Sequence, residues 1–445
     1  MGAEWTSLTL REAGVELLDC VHKTPPSASS GYPYVAIPQM KNGHIALAGV
    51  RRISRDDFRK WTSKTKPRAW DVVVSRRCNP GETALVPPGL ECALGQNLVL
   101  LRSDGTDIFP PFLRWLLRSP TWWEQVGKFI NVGAVFDSLK CADIPNFSLL
   151  IPPLPEQKAI AHILGSLDDK IEVNRRMNET LEAIAGAIFK SWFVDFDPVR
   201  AKAEGRQPEG LDAETAALFP GSFEDSELGK IPRGWKCSPL SEHIKPLRGL
   251  SYKGKFLSEY GFPLHNLNSI YEGGGYKDSG IKHYLGEYKD RHVVHPGDLI
   301  VANTEQGFDH LLIGYPAIVP RRLGEQGLFT HHLYRLEIDA SSPTTSDFLY
   351  HLLLSHRLRS LVIGFTNGTT VNALPIDGLQ MPSFVLPCDE LILLFDQVAR
   401  SFRDRAEQNT TENHDLGQTR DALLPKLLSG ELRVKDAEKF IEGAA

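Results

Sequence analysis

No two cysteines in this chain stand close enough in sequence to suggest a shared metal. The six, Cys20, Cys78, Cys92, Cys141, Cys237 and Cys388, never fall within a C-x-x-C spacing. Zinc sites and a disulfide framework are therefore disfavoured, and reduced thiols are expected. Long apolar runs are also missing: none approaches the roughly 20 residues that span a bilayer. The first ten residues lack the basic-then-apolar pattern of a secretion signal. The expectation is a cytoplasmic protein with no membrane partner.

Enzyme signatures are scarce too. No G-x-G-x-x-G follows a strand-like run, and no G-x-x-x-x-G-K-S/T phosphate loop occurs; Leu228-Gly229-Lys230 lacks both the first glycine and the hydroxyl. An amino-methyltransferase grips its amine with Asn, Asp or Ser before Pro-Pro-Phe/Tyr. Here Phe109-Pro110-Pro111-Phe112 puts phenylalanine in the polar place, which reads as a turn into a helix. Pro296-Gly297-Asp298 and Glu305-Gln306-Gly307 hold nuclease-like acids, but glycine stands where a lysine belongs. His331-His332 and His292/His295 are paired without a third ligand nearby, so no metal site is assigned.

What is present is a long internal repeat. A chain of 445 residues calls for two or more domains. Trp5, Leu10 and Glu12 return as Trp235, Leu240 and Glu242. The strand-like Val72-Val73-Val74-Ser75 returns as Leu299-Ile300-Val301-Ala302. Asn97-Leu98, Gly133, Phe136 and Leu139 return 235 residues later as His332-Leu333, Gly368, Val371 and Leu374. Each copy ends at a proline-marked boundary and then a helix, since proline suits a first helical turn.

The first helix carries an apolar seam of Ile160, Leu164, Leu167, Ile171, Leu181, Ala185, Ile188 and Trp192, with Asn174 and Asn178 inside it. The second repeats it as Phe395, Ala399, Phe402, Ala406, Asn409, Asn413, Leu416, Arg420, Leu423 and Leu427. Steps of four and three describe a coiled coil, and matched seam asparagines suggest register control. Antiparallel packing about the midpoint sets Asn174 against Asn413 and Asn178 against Asn409. The expected fold is α+β: two similar strand-rich heads, residues 1–153 and 231–387, with long helices 154–196 and 388–430. An acidic linker with at most one short helix, near Ala213 to Leu218, is expected at 197–230, and a tail at 431–445. Single helices are expected over 112–129 and 348–363.

Two similar, non-identical heads on a helical pair suit a target with two separated short elements, and DNA half-sites one helical turn apart lie about 34 Å from each other. The net charge of −5 hides a segregated distribution. Residues 51–77 hold ten cations and three acids. In head one, Arg76, Arg77 and Asn79 follow a strand and are candidate base readers. Arg51, Arg52, Lys64 and Lys66 are candidate phosphate contacts. In head two, Arg248, Tyr252, Lys253 and Lys255 form a mixed basic and aromatic loop. Asn303, Thr304 and Gln306 occupy the repeat position of Arg76–Asn79 with unlike chemistry. A solvated charged surface, or an Asn-Thr turn, is the competing reading of these same residues.

At this point the chain resembles the specificity subunits of type I restriction-modification systems. The resemblance covers nearly the whole chain. It rests on Ile151-Pro152-Pro153-Leu154-Pro155-Glu156-Gln157, Ser191-Trp192-Phe193-Val194-Asp195-Phe196, Leu228-Gly229-Lys230-Ile231-Pro232-Arg233-Gly234-Trp235 and Leu424-Pro425-Lys426-Leu427-Leu428-Ser429-Gly430-Glu431-Leu432. It implies two target-recognition domains reading the parts of a gapped, asymmetric site on double-stranded DNA. It also implies helices that set the spacer and dock two methylation subunits, with restriction subunits joining them. S-adenosylmethionine, ATP and Mg2+ would then belong to those partners, with no cofactor and no catalytic residue here. Two other classes stay open: a fused or stand-alone DNA methyltransferase or nuclease, and a coiled-coil scaffold that binds no DNA.

Overall fold

The computed structural model describes residues 5–133, 136–307, 309–368, 371–434 and 436–437. The chain divides into two compact units, residues 1–172 with 413–445, and residues 173–412. Both are α+β, and both contain stretches of the same two long helices, Leu154–Phe189 and Asp389–Leu428. Among the described residues no helix is long and apolar enough to cross a membrane.

In the first unit a four-stranded antiparallel sheet runs in the order Val15–Asp19, Leu98–Ser103, Val72–Ser75, Thr83–Leu85. Successive side chains of a strand point to opposite faces. Val72 and Val74 therefore pack with Leu101 against Phe112, Trp115 and Trp122, while Val73 joins Leu98, Leu100 and Cys20 in a separate cluster. Both faces are covered, so the strand is apolar throughout instead of alternating. A smaller lobe pairs Tyr32–Val35 antiparallel with Arg52–Ile53 and parallel with Ala93–Leu94. Strand Thr6–Thr9 pairs with Ser148–Ile151, which leads the chain into the first long helix.

The second unit repeats this plan. Its four-stranded sheet is Ile244–Arg248, Leu333–Ile338, Leu299–Ala302, Pro316–Ile318. Its smaller lobe keeps one parallel pair, Phe262–His265 with Gly327–Phe329. Lys236–Pro239 pairs with Ser383–Leu386 ahead of the second long helix.

Each unit holds an antiparallel pair of helical stretches. In the first, Ile160, Leu164 and Leu167 share a core with Leu423, Leu424 and Leu427, and Arg420 bonds Asp168. In the second, Asn178 meets Asn409. The first helix ends in π-helical turns at Lys190–Val194, and Phe196 follows in the left-handed region at φ 57°. That change of pitch delivers Trp192, Phe193 and Phe196 together into the second unit's core, beside Trp235, Phe348 and Phe395.

Three expectations need revision. The segment 197–230 is not a bare linker: it forms helices Asp197–Ala203 and Ala213–Ala217 and a hairpin of Phe223–Ser226 with Gly229–Pro232. Val199, Phe219 and Ile231 anchor it in the second unit's core, so its prolines and acids punctuate a folded segment. The helix expected over 112–129 is two, Pro110–Leu116 and Pro120–Phe129, because Ser119 caps the second and Pro120 occupies its first position. The helix expected over 348–363 is likewise two, Ser346–Leu354 and His356–Gly364, parted at Ser355 where ψ is 133°. Of the tail, residues 435 and 438–445 lie outside the described residues.

Candidate nucleic-acid interface

The two expected reading segments share one backbone arrangement. In head one, Arg76 N donates to the Asn97 carbonyl at 2.8 Å, and Leu139 N donates to the Arg76 carbonyl at 2.9 Å. In head two, Asn303 N donates to the His332 carbonyl at 3.0 Å, and Leu374 N donates to the Asn303 carbonyl at 2.8 Å. Three matched positions of the repeat make the same two bonds. The side chains placed there are unlike.

In head one the turn after Val72–Ser75 is held by Ser75 Oγ, which donates to the Arg77 carbonyl at 2.8 Å, and by Cys78 at φ 66°. Arg77, Cys78 and Asn79 are thereby presented to solvent, whereas Arg76 is half-buried. The Arg76 Nη1 donates weakly to the Leu139 carbonyl at 3.4 Å, and its Nε is buried without a partner. Arg76 and Lys64 both lie near Cys20, whose thiol burial lifts to about 11 while these cations pull the other way. Lys64 also faces Asp19 at 3.6 Å. Lys66 pairs instead with Glu91 at 2.6 Å, Arg51 donates to the Pro25 carbonyl at 3.0 Å, and Arg52 to the Gly31 carbonyl at 2.8 Å. All four cations remain exposed.

Head two differs from expectation at Asn303. Its side chain is 1% exposed, and its Nδ2 donates to the His331 carbonyl at 3.0 Å. A side chain so enclosed fixes the loop and does not reach a base edge, so Asn303 is withdrawn as a direct reader. Thr304 is half-buried, with its hydroxyl 2.8 Å from His332 Nδ1, and Gln306 is exposed. Arg248 is exposed beside His332. Burial, His331 and Arg248 together lower the His332 ring from its ordinary value. Tyr252 packs against the cluster of Leu250, Leu264, Tyr284 and Leu328, while Lys253 and Lys255 stay exposed.

The sequence reading did not include the hairpin Met40–Lys41/His44–Ile45, which borders a cleft shared with Asn79. Its tip, Asn42-Gly43, has positive φ at both residues, 52° and 84°. An Asn-Gly pair is the strongest short signal for such a turn, so the sequence did carry it. His331 and His332, considered above only as a metal pair, lie with their rings 3.9 Å apart beside Arg248 and Thr304.

Three of the seam asparagines, Asn174, Asn178 and Asn409, lie where the helices meet. Asn409 Nδ2 donates to Asn178 Oδ1 at 2.8 Å, and Asn178 Nδ2 donates to the Ala406 carbonyl at 3.1 Å. Asn174, fully buried, donates to Glu412 at 2.7 Å, one residue from Asn413.

The residues screened for catalysis have local partners. Phe109 precedes helix Pro110–Leu116, and its N–H donates to Gln157 Oε1 at 2.7 Å. Asp298 accepts from His295 N at 2.8 Å, and Glu305 accepts from the N–H groups of Leu311, Leu312 and Ile313. Asp19, Cys20 and His22 come within ligand distance of one another. The Cys20 thiol, however, donates to the Gly95 and Leu98 carbonyls and resists ionising, which does not suit a metal ligand.

Comparison with known proteins gives a consistent answer. Residues 21–183 match the family model described as the type I restriction modification DNA specificity domain. The type I restriction enzyme MjaIX specificity subunit of Methanocaldococcus jannaschii is 24% identical over 415 residues, covering 92% of this chain and 86% of that one. The HindI specificity subunit of Haemophilus influenzae is 26% identical over 387 residues, covering 76% and 80%. The chain is thus similar, over most of its length, to type I restriction-modification specificity subunits. A crystal structure of the type I S subunit from M. genitalium shares the fold of this chain, with a TM-score of 0.51 at 16% identity over 95% of this chain and 96% of that one.

Proposed function

We propose that this chain is a specificity subunit that reads a bipartite, asymmetric, gapped site on double-stranded DNA, one half with each head. The observation that carries the reading is the pair of matched segments, Arg76–Asn79 and Asn303–Gln306. They make equivalent backbone bonds and offer different polar groups. A duplicated reader of two unlike half-sites needs the same scaffold twice with different chemistry at the same place. Arg77 and Asn79 in head one, and Arg248, Thr304 and Gln306 in head two, are the readers; guanidinium suits guanine, and side-chain amides suit adenine. Arg51, Arg52, Lys64, Lys66, Lys253 and Lys255 meet phosphates, which orient the protein without specifying sequence.

The long helices set the distance between half-sites and dock two methylation subunits. Their seam asparagines, Asn174, Asn178, Asn409 and Asn413, hold the pairing register, and Val173, Met177 and Ile184 give the first helix an exposed apolar stripe for a partner. Methylation with S-adenosylmethionine and ATP-dependent, Mg2+-requiring cleavage belong to the partner subunits. The test is to sequence methylated positions in cells expressing this chain with its methylation subunit. A single two-part motif with a constant gap is expected; scattered or absent methylation overturns the reading. Incubating the purified chain alone with DNA, S-adenosylmethionine and Mg2+ separates the enzyme alternative, because product in that mixture contradicts a recognition-only role. A scaffold would enrich no sequence from a random duplex pool.

A further inference from the structure

We propose that Phe136 in head one and Val371 in head two are matched apolar base-contacting residues, each meeting thymine methyl groups in its own half-site. The inference rests on the DNA reading above and adds a second class of contact to it. Both residues sit in segments closed by a pair of backbone bonds. Asn131 and Ser138 exchange backbone bonds at 2.8 and 3.0 Å, and Asn367 and Ala373 exchange them at 3.0 and 2.8 Å. A glycine approaches closely in each: a Cβ at Gly133 would collide with the Phe136 carbonyl, and one at Gly368 with the Val371 carbonyl. The chain has kept this glycine–apolar pairing in both copies of the repeat.

The side chains so held face outward. Phe136 is 58% exposed and Val371 45%. Exposed apolar side chains lose free energy to water at both matched places, and neither is covered by its own head. Their neighbours say what covers them. Val371 stands directly opposite Gln306 in the strand pair Thr304–Gln306 with Val371–Ala373. Opposed residues of an antiparallel pair share one face, so the valine and the exposed amide address the same surface. In head one Arg77 bridges Ser138, two residues from Phe136. The apolar residue thus borders the polar readers in each head. On a DNA surface beside such groups, the apolar feature of a base edge in the major groove is the thymine methyl.

The test uses the full chain with its methylation subunits and selection from a random duplex pool. Phe136→Ala should relax the preference in one half-site only, and Val371→Ala in the other only. On the wild-type site, replacing thymine by uracil at the relaxed positions should weaken wild-type binding about fourfold per methyl group, the equilibrium equivalent of one buried methyl. The matching variant should be indifferent to the replacement. Variants that enrich the wild-type sequence, or uracil costs equal in variant and wild type, overturn the proposal. Wild-type protein indifferent to uracil throughout both halves overturns it even where a variant fails to fold. Wild-type protein that enriches no sequence at all overturns the DNA reading itself, which distinguishes the two failures.

Discussion

Where head one buries Val35 and Trp115, head two buries His265 and His351. The places correspond: Tyr32-Pro33-Tyr34-Val35 aligns with Phe262-Pro263-Leu264-His265, and Phe112-Leu113-Arg114-Trp115 with Phe348-Leu349-Tyr350-His351. The helix positions that meet the heads have diverged further. Asp168 in the first long helix matches Arg403 in the second, 235 residues on, an inversion of charge. Duplication has preserved backbone pairing. The polar chemistry has drifted, at the cores as well as at the reading loops, so the two halves should fail under different stresses.

The largest contrast lies at that inverted pair. Asp168 sits between Arg114, whose side chain is 9% exposed, and Arg420, at 2.6 Å, with His44 at 3.3 Å. Burial opposes its charge, but the His44 bond and the arginines hold the carboxyl below the usual carboxylate range. Removing the carboxylate leaves the enclosed Arg114 guanidinium uncompensated and Arg420 with only the exposed Asp421. Asp168→Ala should therefore cost about 3–5 kcal/mol, read by denaturant unfolding. Arg403 is more open, with a side chain 28% exposed, and lies 3.3 Å from Asp347. Arg403→Ala should cost no more than about 1 kcal/mol. Equal losses would erase the distinction between the two anchors.

Acid should break head two first. Burial pushes His265 and His351 down to about 4, so both are neutral in the folded chain. Below the ordinary histidine pKa the unfolded chain binds protons that the folded chain refuses, and stability falls with pH through that window toward 4. Asp347 acts oppositely: burial raises it to about 6 against the pull of Arg403, so its protonation adds stability as pH drops. The net loss between pH 7 and 5 should be on the order of 2 kcal/mol. His351→Phe should flatten the profile, as measured by unfolding midpoints across that range. In head one the Asp168 contribution is present above the ordinary carboxylate pKa and is lost only at lower pH. Acid unfolding that begins in head one would contradict this assignment.

These contrasts also mark where sequence reasoning succeeds and stops. The long helices, their antiparallel sense and the meeting of Asn178 with Asn409 follow from a heptad pattern, because periodicity reports which face is buried. The matched strands follow from the repeat. The fold of 197–230 was hidden because Val199, Phe219 and Ile231 are scattered among turn residues and acids, and long-range packing alone recruits them. Asn303 follows a strand as a surface reader would, yet the His331 carbonyl holds it inside. Gln157, part of a boundary motif, is a buried hub whose Nε2 donates to the Asp107 and Pro152 carbonyls. Its repeat counterpart is Ile392. No local signal separates such a structural polar residue from a functional one.

The reading loops sharpen the comparison at the level of DNA. Arg77→Ala in head one and Gln306→Ala in head two should each weaken cognate binding by about 1–3 kcal/mol and leave random-duplex binding unchanged. Asn303→Ala should behave differently from both. It strips the His331 carbonyl of its donor, so the loss of about 1–3 kcal/mol should appear in the stability of head two. Binding per folded molecule, measured by titrating the active fraction, should stay near wild type. A cognate-specific loss with intact stability would return Asn303 to the readers.

The smallest effect should come from the phosphate contacts, and there the two heads should agree. Lys64 in head one already faces Asp19 at 3.6 Å with its side chain 56% exposed, so DNA must compete with a weak, solvated pair. Lys253 in head two is exposed as well. A phosphate contact contributes mainly by releasing a counterion, a term blind to base sequence. Lys64→Ala and Lys253→Ala should therefore lower affinity for cognate and random duplex alike, and each should reduce the slope of log affinity against log salt by about one. The slope decides the role: a lysine whose removal changes cognate preference and leaves the salt dependence intact is reading a base. The division between a shared electrostatic footing and separate base readers would then have to be redrawn for that head.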